Sequence, residues 1–149
     1  MTEEDKKLLL KDLCARLPYG VKCGVLTHPN CRLSNWKKED DLYYKSRPKY
    51  QTLDLATLSI NPIECFKPYL RPMSSMTEGE KSDFPFPYYF EWIDSNFSLL
   101  CSNDKVCASI GFDEMYEIMD WLNVHHFDYR GLIEKGLALE APEDMYKEN

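Results

Sequence analysis

The chain has 149 residues, 44% apolar and 13% aromatic, which suffices for one domain with a packed core. No stretch approaches the roughly 20 apolar residues of a membrane-spanning helix. The net charge of −7 lies wholly beyond Phe112, where ten acids face Arg130, Lys135 and Lys147, and an end so charged repels phosphate backbones and anionic membranes.

Met1 to Lys7 runs from acids straight into a helical pattern without the apolar core of a signal peptide, so the chain is expected in the cytosol. There, six cysteines at 14, 23, 31, 65, 101 and 107 stay reduced and are expected as small buried hydrophobes.

Taken in order, Thr2 and Asp5 have capping-box spacing, and Leu9, Leu10, Leu13 and Leu17 suggest the apolar face of a first helix. Pro18 and Gly20 stop it. Val21, Cys23 and Val25 alternate with Lys22 and Gly24 as in a strand, His28-Pro29-Asn30 supplies a turn, and Cys31 to Leu33 begins a further strand. Residues 34 to 49 are charged, lack a period and are expected as a surface loop.

Tyr50 to Ile60, with Leu53 and Leu55 alternating against Asp54 and Ala56, reads as a strand, and Ile63 to Leu70 resumes extended character beyond Asn61-Pro62. Ser75 or Thr77 caps a short helix through Glu78 and Lys81, ended by Pro85 and Pro87. The aromatic stretch 88–93 suits helix and strand equally. From Asp113 to Asn123, Met115, Ile118, Met119 and Leu122 form one helical face, and Asp128 caps a further turn ended by Gly136. The expected architecture is a single α+β domain over 1–149, its N-terminal helix packed on a small antiparallel sheet, with helices at the C-terminal end. That sheet can curl into a five-stranded barrel of SH3 or Sm type.

Three groups of residues could carry chemistry. His125, His126 and Asp128 gather just past a helix end, where a His-Asp pair could serve as general base and orienter of a small hydrolase or nuclease. Adjacent histidines diverge by about 100° on a helix, and no nucleophile motif accompanies them. Their bland role is to favour a helix C-terminus while Asp128 caps the next turn. Cys23, His28 and Cys31 could meet at one zinc ion, but the sequence has no Cys-x-x-Cys, and core cysteines are the expectation. No cofactor is expected.

Trp36, Tyr43, Tyr44, Arg47 and Tyr50 interleave aromatics with bases, as single-stranded nucleic-acid grooves and protein-interface hot spots both do. Intervening acids 39–41 disfavour nucleic acid, which leaves a protein partner as the expectation.

The blocks Leu8 to Lys22 (LLLKDLCARLPYGVK), Lys67 to Thr77 (KPYLRPMSSMT) and Trp121 to Lys147 (WLNVHHFDYRGLIEKGLALEAPEDMYK) resemble small proteins that recur in phages and mobile elements of anaerobic gut bacteria. That resemblance brings no catalytic residues with it. It implies a non-enzymatic accessory protein that binds a protein of its host or of its own element.

Overall fold

A computed structural model describes residues 1–25, 50–85 and 112–147. Helix α1 (Glu3–Arg16) opens on the expected capping box: Thr2 Oγ1 accepts from Asp5 N–H at 3.1 Å, and Asp5 Oδ2 accepts from Thr2 N–H at 2.9 Å. A turn of 3-10 helix (Leu17–Tyr19) follows, and Gly20 reverses the chain at φ +70°, a backbone region that costs a side-chain-bearing residue about 1–2 kcal/mol. Strand β1 (Lys22–Val25) pairs antiparallel with β2 (Tyr50–Thr52) and with β3 (Phe66–Leu70). Together with β4 (Leu139–Glu140) they form one sheet in the order β2-β1-β3-β4.

The molecule is therefore α+β, with its first helix packed on the sheet. The described residues make four short strands in one sheet, not the five of a curled barrel. One cause is local. Residues 55–60, read from their alternation as strand, form helix α2 (Leu55–Ile60), because Asp54 caps it by accepting from Thr57 N–H at 2.7 Å. Alternation over so few residues also fits one turn and a half of helix, and a good cap decides between them.

The described contacts fall into two compact units, residues 1–69 with 134–139, and residues 70–133 with the C-terminal segment from 140. In the first, Leu9 and Leu13 of α1 pack with Val21, Cys23, Leu53, Leu58, Cys65 and Phe66. Leu137 and Ala138 are buried as well, and Leu139 comes so close to Gly24 that a Cβ there would lie 3.4 Å from it. The core of the second unit is built from Met76, Phe84, Ile118, Leu122, Phe127 and Tyr129. Its helices are α3 (Glu78–Asp83), capped by Thr77, and α4 (Phe112–Val124).

Helix α1 departs from the expected face in an informative way. Leu10 is 46% exposed, while Asp12 and Arg16 are fully buried beside Leu9 and Leu13. Arg16 donates from Nε to Asp12 Oδ2 at 2.8 Å and from Nη2 to Oδ1 at 3.1 Å, a two-pronged pair across one helical turn. Half of the inward stripe of α1 is thus ionic. A buried pair of this kind stabilises little by itself but is costly to break, since the surviving charge has no water to turn to.

Asp12→Ala is accordingly expected to destabilise the protein by about 3–5 kcal/mol in chemical denaturation. The double change Asp12→Leu, Arg16→Met should recover most of that loss. A single variant within about 0.5 kcal/mol of the parent, the range of ordinary surface changes, would contradict the burial.

Candidate functional site

The second unit is tied together at Arg71, the residue after β3. Its N–H donates to His126 O at 2.8 Å, and its carbonyl accepts from Asp128 N–H at 2.7 Å, a one-residue parallel bridge to Phe127. The side chain closes the other flank. Nη1 donates to Glu80 Oε1 at 2.6 Å and Nη2 to Oε2 at 2.9 Å, while the guanidinium carbon lies 4.2 Å from the centre of the Phe127 ring. Glu80 in turn completes the cap of α3: its Oε2 accepts from Thr77 N–H at 2.8 Å, and its own N–H donates to Thr77 Oγ1 at 3.2 Å.

The end of α4 explains how the predicted histidines are used. His126 takes the left-handed conformation, φ 58°, where glycine is usual. Its N–H bonds to Asn123 O at 3.1 Å, and Phe127 N–H to Leu122 O at 3.0 Å, the paired hydrogen bonds of a Schellman ending, with Phe127 packed back onto Leu122 in the core. The buried His126 ring stacks on Tyr146 at 3.9 Å. His125 stacks on Trp121 at 3.9 Å and its Nδ1 lies 2.9 Å from Trp121 O. A carbonyl only accepts, so Nδ1 carries a proton, and Nε2 is the nitrogen left for chemistry. Asp128 spends both oxygens on the next turn, accepting from Leu132 N–H at 2.9 Å and Ile133 N–H at 2.8 Å. The turn therefore employs His126 and Asp128 in holding its own backbone.

Beside it lies a cleft of about 460 Å³, walled by Arg71, Thr77 and Glu80 on one flank and by Val124, His125, Glu143, Tyr146 and Lys147 on the other. An adjoining hollow of about 280 Å³ shares Arg71, Thr77, Glu143 and Lys147 and adds Glu140 and Ser75. Sequence reasoning found His125 but missed Arg71, Glu80 and Tyr146. Arg71 and Glu80 stand nine positions apart, outside any helical or strand period, and the only signal was the cap spacing of Thr77 and Glu80.

The remaining candidates lie elsewhere. Cys23 is in the first core, where burial, and after it the charge of Asp12, pushes its thiol up to about 12. Cys65 is buried too, whereas Cys14 is exposed, contrary to expectation. His28 and Cys31 lie outside the described residues, and among those described no three His, Cys, Asp or Glu side chains are grouped to hold a metal ion. Tyr50 meets Tyr69 edge-on at 5.9 Å, with Lys22 Nζ 5.4 Å from its ring centre. Trp36, Tyr43, Tyr44 and Arg47 fall outside the described residues, as do the turn at 28–30, the strand from Cys31, the loop 34–49 and the stretch 88–93. No described helix is long and apolar enough to cross a membrane.

Partial burial raises the proton affinity of Glu80, but the hydrogen bonds from Arg71 and Thr77 outweigh it and hold the carboxyl at about 2, against an ordinary value of 4.5. The folded carboxyl binds its proton less readily than the unfolded one. Its stabilising contribution is therefore full above about pH 4.5 and is lost as the pH falls toward 2. The stability advantage of the parent over Glu80→Gln should shrink across that window when both are unfolded by urea at successive pH values; a constant difference would contradict the ion pair. No family model, curated protein or solved structure matches the chain.

Proposed function

We propose that the chain is a cytosolic protein-interaction module without chemistry of its own, an accessory factor of the phage or mobile-element kind that its three sequence blocks resemble. The observation that carries this reading is the outward face of α4. Asp113, Tyr116, Glu117, Asp120 and Val124 fall within about 100° of arc at 100° per residue, opposite the buried Ile118 and Leu122. On that face Tyr116 is 75% exposed and Val124 41% exposed.

A tyrosine left in water on a rigid helix is an anchor of the kind that dominates protein interfaces, because it offers a large contact area at a small cost in rotamer freedom. The acids beside it turn away phosphate backbones, which favours a protein over a nucleic acid as partner. Use of Asp128 as a cap and of His126 as the left-handed residue of a helix ending gives these groups a structural purpose, which weighs against the alternative of a small hydrolase or nuclease.

The test uses the whole chain immobilised and exposed to bacterial extract, beside Tyr116→Ala, Val124→Asn. Both positions are exposed, so the variant should keep the parent's thermal midpoint. The parent is expected to retain a partner that the variant binds about 30-fold more weakly, corresponding to the roughly 2 kcal/mol of an interface hot spot. Equal retention by both, or turnover of a substrate that survives the double change and fails in His125→Ala, would contradict the reading.

A further inference from the structure

The outward face of α4 does not stop at the helix end. Val124, its last residue, is also a wall of the cleft that contains His125, Glu143 and Tyr146, so helix face and cleft form one continuous surface within the second unit. From Asp113 to Val124 the face runs about 16 Å, the reach of about five residues of extended chain.

Among the described residues, the charges along this surface are of one sign once the internal pairs are set aside. At the cleft, Arg71 is neutralised by Glu80. Lys147 is shared between two carboxylates, Glu143 at 3.3 Å and Asp144 at 3.0 Å, both nearly fully exposed. Glu140 adds another acid in the adjoining hollow, and Asp113 and Glu117 stand exposed on the helix. Apolar anchors among carboxylates that outnumber the described cations beside them complement a segment in which basic and apolar side chains alternate.

We infer that the partner presents such a basic amphipathic segment, which lies along α4 with its apolar groups on Tyr116 and Val124 and sends one lysine or arginine into the cleft against Glu143 and Tyr146. The inference rests on the protein-binding reading above and adds the chemistry of the partner. Tyr146 suits the part: its ring is fixed by stacking on His126, and an aromatic wall with a carboxylate beside it receives a cation better than either alone.

The probe is a short synthetic peptide that alternates Lys and Arg with Leu and Trp, fluorescently labelled and titrated with the full chain, against a counterpart carrying Glu at every basic position. The basic peptide should bind, and its affinity should fall steeply between about 50 and about 300 mM salt. Asp113→Lys, Glu117→Lys should weaken it about tenfold, as two reversed contacts of roughly 0.7 kcal/mol each would. Glu143→Lys and Tyr116→Ala should each weaken it severalfold. The charge-matched control Asp83→Lys, Glu134→Lys reverses two exposed acids that are neither on α4 nor among the residues lining the cleft, and should bind within about twofold of the parent.

Equal weakening by the control would mean attraction to net charge alone and would overturn the inference, as would binding of the acidic peptide. If a partner captured through Tyr116 stays bound in high salt and to the charge-reversed helix, the basic segment is wrong while the interaction module stands. If neither peptide nor partner responds to Tyr116→Ala, both fall.

Discussion

Arg71 holds the second unit to a single arrangement. Its two backbone groups are claimed by the turn after α4, its guanidinium is forked on Glu80, and its flat face covers Phe127. Each contact fixes a different element: the turn at 126–128, the cap of α3 and the core beneath. A lysine could supply the charge but neither the fork nor the flat surface, so the position calls for arginine specifically. The rest follows from that placement. With Phe127 held under the guanidinium, the Schellman ending of α4 is set, His126 is driven into the left-handed region, and the cleft acquires its two flanks.

Seen from this constraint, the string His125-His126-Phe127-Asp128 is a helix ending joined to a cap. A helix of thirteen residues must dispose of its last carbonyls, and the chain does so with a histidine at the left-handed position instead of glycine. Histidine tolerates that conformation better than most residues, and its ring gains a partner in Tyr146. The polar residues that draw the eye at this point serve the backbone, and the surface we propose for a partner is the plainer one, a tyrosine and a valine between carboxylates on the outside of α4.

Much of the fold was legible where local chemistry decides it. Thr2 with Asp5 announced one cap by spacing, Thr77, beside Ser75, and Asp128 were read as others, and the face of Ile118 and Leu122 announced α4. What was illegible depended on distant residues. No spacing rule puts Asp12 and Arg16 inside α1 in place of Leu10, because whether an i,i+4 ion pair faces solvent or core is settled by what packs over it. Residues 55–60 were misread because six residues hold too little period to separate a helix from a strand. At the candidate site the histidines at a helix end and Asp128 as the next cap were visible, and the clasp was not, since Arg71 and Glu80 meet through the fold and share no motif.

Arg71 is the clasp of the 125–133 turn, and residue-resolved amide hydrogen exchange of the parent beside Arg71→Met reads that directly. Methionine keeps the aliphatic stem and removes the fork and the cationic face. If Arg71 is the clasp, the amides of Phe127, Asp128, Leu132 and Ile133 lose about tenfold or more in protection, while those of Leu9 and Leu13 in α1 are unchanged. Unaltered protection across 127–133, or an equal loss in α1, would show that the turn is held by something other than this arginine.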